Sequence, residues 1–111
     1  MSTNDVFVAI NYIEPAPEYV DRFEQLFLSR AHAIDSSLGF HHMHVLKPAV
    51  PGDPYLIMSF WESEEHFNAW NKSGAFMEGH RRGFGDIREA QREGRESPMK
   101  STYKKYQVLT N

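Results

Sequence analysis

His80 is the residue of this chain whose type and setting best suit it to hold a metal. It stands ten positions after Trp70, inside FWESEEHFNAWNKSGAFMEGHRR at 60–82, which carries both tryptophans and two of the six histidines. A neutral imidazole on a helix, beside apolar Phe76, Met77 and Phe84, can ligate a metal or reach heme iron at a pocket wall. A histidine near a helix end also suits the placing of positive charge there, and residue type alone leaves both readings open. Arg81 and Arg82 follow at once. Their guanidinium groups can meet the carboxylates of a bound anion, or stand as solvated charge.

Two further residues draw attention. Trp70 has Phe67 at i−3 and His66 at i−4, so it suits core packing as well as a pocket wall. Asn11 interrupts an apolar strand face, and a buried amide there must find hydrogen-bond partners, either structural or in a ligand. His42 and His44 alternate on one strand face, where an i, i+2 pair can chelate a divalent metal. With no acidic neighbour in that strand, a half-exposed face is the reading preferred for them. The absence of cysteine excludes disulfides, thiolate nucleophiles, iron–sulfur clusters and thiolate-held zinc. No phosphate-binding glycine loop, zinc-protease helix or nucleophile elbow occurs. The formal net charge of −3 offers no general attraction to nucleic acid.

These residues need elements to position them. Alternation predicts a first strand over 6–14, with Phe7, Ala9, Asn11 and Ile13 on one face and Val6, Val8, Ile10 and Tyr12 on the other. Pro15 and Pro17 close it. Tyr19, Phe23, Leu26, Phe27, Arg30 and Ile34 recur at helical spacing over 18–36, with Gly39 as the expected stop. Strands over 40–47 and 55–62 flank the turn KPAVPGDP and suggest a hairpin. Ser63 is the expected cap of a helix through Trp70, interrupted at 71–74 and resumed over 74–82. The stretch 83–98 reads as a polar, arginine-rich connection, part helical or mobile over a pocket. A last strand is expected over 102–110. The order β, α, β, β, α, β predicts one α+β domain over 1–111, ferredoxin-like, with helices on one face of an antiparallel sheet. The other apolar face asks for a second sheet, most simply in a homodimer. No apolar run is long enough to span a bilayer, and MSTNDVFVAINYIE lacks the pattern of a signal peptide, so a cytoplasmic location is the expectation.

The pattern W-E-S-E-x-x-F-x-x-W-x-x-S-x-x-F-x-x-x-H over 61–80 resembles the heme-degrading monooxygenases of the iron-regulated surface determinant type, in the antibiotic biosynthesis monooxygenase superfamily. F-V-A-I-N at 7–11, G-F-H-H-M at 39–43 and E-S-P at 96–98 extend the resemblance over most of the chain. It implies a dimeric α+β barrel and oxidative cleavage of heme, which serves as both cofactor and substrate, with dioxygen and an external electron donor. It implies His80 as axial ligand of heme iron, Asn11 as the amide on the opposite side, and Trp70 as the ring that presses on the porphyrin. Phe23, Phe27, Phe76 and Arg81 complete the expected heme contacts, and the expected partners are heme, a second copy and a reductase or small reductant. A cofactor-free oxygenase of quinols or polyketide aromatics and a non-catalytic heme binder are the competing functions.

Overall fold

The computed structural model describes residues 6–30 and 32–111. Residues 1–5, part of the stretch in which no leader is expected, and position 31 of the expected first helix lie outside them. The elements are β1 (Phe7–Pro15), α1 (Val20–Leu28), β2 (Phe40–Leu46), β3 (Tyr55–Trp61), α2 (Glu64–Asn71), α3 (Gly74–Arg92) and β4 (Met99–Gln107). The strands form one antiparallel sheet in the order β2-β3-β1-β4. This is the expected α+β ferredoxin-like arrangement, with the helices on one face.

β1 is central, paired on both sides, which suits its continuous apolar character. Its inward row feeds two separate clusters. Phe7 and Ala9 pack with Trp61, Phe67 and Trp70. Ile13 packs with Phe23 and Tyr55. Trp61 is fully buried, and its indole N–H donates to Ser59 Oγ at 2.9 Å, so the ring carries no unsatisfied donor into the core. On the opposite face of the sheet stand Val8, which is buried, and Ile10, Met58 and Phe60, which are half-buried.

The helices differ from expectation at their ends. α1 stops at Leu28, well short of 36, and a separate 3-10 turn covers Ala33–Ser36. Ser29 Oγ donates to the Gln25 carbonyl at 2.6 Å, the local side-chain bond by which serine favours a helix end. Gly39 is therefore not the stop of α1. It lies at the entry to β2 with φ +79, and its carbonyl accepts the Glu62 N–H at 2.8 Å. Ser63 caps α2 as expected, accepting the His66 N–H at 3.2 Å. Ser73 caps α3 in the same way, from the Phe76 N–H at 3.1 Å.

α3 does not end at 82; it runs on to Arg92 through Gly83 and Gly85. Two helical glycines cost about 2 kcal/mol together relative to alanine. Tertiary ties offset this. Arg82 donates to Ser29 Oγ at 3.0 Å and to the Leu26 carbonyl at 3.2 Å. Asp86 accepts from Tyr19 Oη at 2.5 Å and from Arg22 Nε at 3.0 Å. Burial pushes the Asp86 carboxyl up, but the bonds from Arg22 and Tyr19 outweigh it and hold the group below its usual range. The last strand also begins earlier than 102. The Pro98 carbonyl accepts the Ala16 N–H at 2.8 Å, and pairing starts with Pro15 opposite Met99. Val108 and Leu109 fall beyond it.

Two substitutions test these ties. An added Cβ at Gly39 would stand 2.3 Å from His66 Cγ, at a backbone angle that side chains rarely adopt. Gly39→Ala is expected to destabilise the protein by about 1–3 kcal/mol in urea denaturation. Asp86→Asn is expected to cost about 1 kcal/mol at pH 7. Because the folded carboxyl titrates below its unfolded value, that stabilisation is present above about pH 4 and fades as pH falls through the folded value. Wild type and variant should therefore converge in urea midpoint toward pH 3.

Candidate functional site

Between the sheet and the helices lies a cavity of about 250 Å³. It opens where the two core clusters part. Asn11, Ile57, Ser59 and Tyr103 form its sheet side, and Phe76, Gly79, His80, Gly83 and Phe84 its α3 side. Its volume sits near the lower end for small-molecule sites. A neighbouring groove of about 330 Å³ shares Phe23, Phe27, Arg30 and Met43 with it as common lining. At the groove's outer rim Tyr55 Oη donates to Glu24, which also pairs with Lys47 at 3.0 Å. The bond to Glu24, with desolvation, pushes the Tyr55 phenol up to about 12.

His80 is held from two directions. Its ring lies between those of Phe76 and Phe84, at centroid distances of 4.0 and 5.4 Å. Its Nδ1 stands 2.7 Å from the Phe76 carbonyl oxygen, one helical turn back. A carbonyl only accepts, so Nδ1 carries the proton. Nε2 keeps its lone pair when the ring is neutral and has no hydrogen-bond partner among the described residues. This is the tautomer a metal requires, oriented by a backbone carbonyl as metal-binding histidines commonly are.

Asn11 faces the same cavity from β1, and its Oδ1 is buried without a hydrogen-bond partner. An unsatisfied buried acceptor costs about 1–3 kcal/mol, and such an atom at a cavity wall points to a missing ligand group. Trp70 is 7% exposed; it belongs to the first core cluster, meets Phe76 edge-on at 5.8 Å and lines the cavity. Phe23, Phe27 and Phe76 line it as well, Phe23 also forming the centre of the second cluster.

Arg81 lies outside this lining. Its guanidinium pairs with Glu78 at i−3 on the exposed side of α3. Arg82, one residue and about 100° further round the helix, is the arginine in the lining. The strand histidines lie elsewhere. His42 stacks on Phe60 at 4.3 Å and meets the His44 ring at 5.4 Å, on the face of the sheet turned away from the helices. No group of three His, Cys, Asp or Glu side chains suited to a metal ion occurs among the described residues. Tyr103 and the glycines at 79 and 83 were not marked by the sequence as site residues. Tyr103 was legible as a strand residue, but its pairing with Asn11 depends on register.

Known proteins resemble the chain in sequence and in fold. The antibiotic biosynthesis monooxygenase family profile matches residues 6–82. A mycobilin-producing heme oxygenase of Mycobacterium tuberculosis is 37% identical over 76 residues, covering 67% of this chain and 72% of the relative. A staphylobilin-producing heme oxygenase of Staphylococcus haemolyticus is 30% identical over 77 residues, covering 68% and 73%. Among solved structures, the heme-degrader MhuD from M. tuberculosis with two hemes in its active site matches with TM-score 0.67 at 28% identity, over 95% of this chain and 97% of that one. SnoaB, a cofactor-independent oxygenase from Streptomyces nogalater, matches with TM-score 0.68 at 15% identity, over 97% of each chain, a likeness of fold alone. With the profile matched from the first strand to just past His80 in α3, the chain belongs to the antibiotic biosynthesis monooxygenase family.

Proposed function

We propose that this protein is a heme-degrading monooxygenase that opens the porphyrin oxidatively and releases iron, using dioxygen and an external electron donor. The observation that carries this reading is His80, an exposed residue of the lining of a largely apolar cavity, its Nδ1 proton committed to the Phe76 carbonyl and its Nε2 without a hydrogen-bond partner among the described residues. Relatives named as heme oxygenases support it.

The residues fit a planar group. A Cβ at Gly79 would meet nothing within 4 Å, and one at Gly83 would meet only Leu26 Cδ1 at 3.9 Å, so α3 offers an open wall beside the imidazole. The unpartnered Asn11 Oδ1 marks the sheet side. Heme, as substrate, brings the redox-active iron and the ring that is oxidised. The chain's part is to bind and orient it. His80 Nε2 is the iron ligand, and Asn11 is the hydrogen-bonding group across the cavity. Trp70, fixed in the core and lining the cavity, would stand against the ring, and distorting the macrocycle is one of the levers a protein has over heme. Phe23, Phe27 and Phe76 exclude water. Arg81, exposed one position on from His80, and Arg82 in the lining offer positive charge to the heme carboxylates. The sheet face with the half-buried Ile10, Met58 and Phe60 pairs with that of a second copy. Among the described residues no helix is long and apolar enough to cross a membrane, and the expected setting remains the cytoplasm, with a reductase or small reductant as electron donor.

Hemin titration should give a saturable Soret shift at one heme per chain, and ascorbate in air should then bleach it. No saturable binding would favour a cofactor-free oxygenase. A band that persists under reductant and air would favour a heme carrier. His80→Ala should weaken hemin binding by at least about tenfold, a loss of about 1.4 kcal/mol, whereas Asn11→Ala should keep binding and lose bleaching. Gly79→Leu should act in opposite directions. It should raise the stability of the ligand-free protein by roughly 0.5–1 kcal/mol through helix propensity, yet abolish hemin binding by filling the open wall.

A further inference from the structure

We propose that Tyr103 is a positioning residue for Asn11: its hydroxyl accepts one N–H of the amide and so turns the amide oxygen toward the cavity. The functional consequence rests on the heme reading above; the pairing itself does not.

An asparagine side chain is nearly symmetric in shape, so its orientation is set only by polar neighbours. Around Asn11 these are few. Its own row on β1 holds Phe7, Ala9 and Ile13. Its register partner on β3 is Ile57. Ser59, the next polar group on β3, already accepts the Trp61 indole N–H. On β4 the register partner is Tyr103, which lines the same cavity. Of the same-face neighbours on β4, Ser101 lies opposite Ile13 and Lys105 is drawn away to Glu64 at 2.8 Å. Tyr103 is thus the polar side chain directly across from the amide, and its ring rests near Phe67 at 6.3 Å.

The charge behaviour agrees. Desolvation raises the Tyr103 phenol, while a hydrogen bond from Asn11 pulls it back down. A bond that favours the phenolate has the amide as donor. With the nitrogen end directed at the hydroxyl across the strand pair, the oxygen end is left over, and Oδ1 is the atom that lies buried without a partner. Without the hydroxyl, both amide orientations become accessible, and the polar group facing the ligand loses its preorganisation.

The test has two arms. In ligand-free, ¹⁵N-labelled protein, the Asn11 side-chain amide signals are identified by their loss in Asn11→Ala. Tyr103→Phe, which keeps the ring, should shift one of the two proton signals upfield and speed its exchange with solvent several-fold, leaving other asparagine side chains unchanged. An unaltered pair overturns the proposal. In the hemin-loaded protein, Tyr103→Phe should leave the hemin Kd within about twofold and slow bleaching by about five- to tenfold, the scale of one hydrogen bond. In an Asn11→Ala background the same substitution should slow the small residual bleaching rate no further. An equal loss in both backgrounds overturns a role acting through the amide. If the wild-type protein binds no hemin, the heme reading falls, and the ligand-free arm still decides the pairing.

Discussion

Along β1 the inward side chains run Phe7, Ala9, Asn11, Ile13, and the single polar residue falls between two aromatic clusters that hold the helices against the sheet. A continuous apolar row would let the two clusters merge into one close-packed core. The amide prevents that at the point where the cavity lies. Each cluster acts as a pillar: Trp61, Phe67 and Trp70 at one end, Phe23 and Tyr55 at the other. The space between them is kept open because the rings on either side are already fully engaged with each other.

The roof over that space depends on contacts far apart in sequence. α3 carries the glycines that leave its inner wall flat, and those same glycines weaken it as a helix. Arg82 and Asp86 fasten it to α1 across more than fifty positions of chain, at either side of Phe84. The helix is thus sustained by its tertiary ties as well as by its own residues, which lets the inner face be shaped for a ligand instead of for helix stability.

That division explains what the sequence disclosed. The first three strands, the Ser63 cap and the break after Asn71 follow from alternation and capping, which are local, and these were legible. The length of α3 was not, because Gly83 and Gly85 are local breakers and the groups that overrule them belong to α1. The early end of α1 was hidden for the converse reason: its apolar spacing continues past Ser29, but Ser29 bonds back to Gln25. At the site, His80, Trp70 and Asn11 were identifiable by type together with the family resemblance. The choice between Arg81 and Arg82 turns on one step of helix rotation. The partnership of Asn11 with Tyr103 turns on a register that the late placing of the last strand concealed.

The bond from His80 to the Phe76 carbonyl has a consequence for electron supply. Where a carboxylate receives the second nitrogen's proton, the imidazole takes on anionic character and stabilises an oxidised metal; a neutral carbonyl gives much less of that push. In its proposed role, His80 would therefore leave bound iron comparatively easy to reduce. The acceptor is one turn away in the same helix, so this weak donor character would travel with α3 through any movement of the pocket. With heme bound in this way, the chain would ask less of its reductant, because no carboxylate pushes electron density onto the ligand.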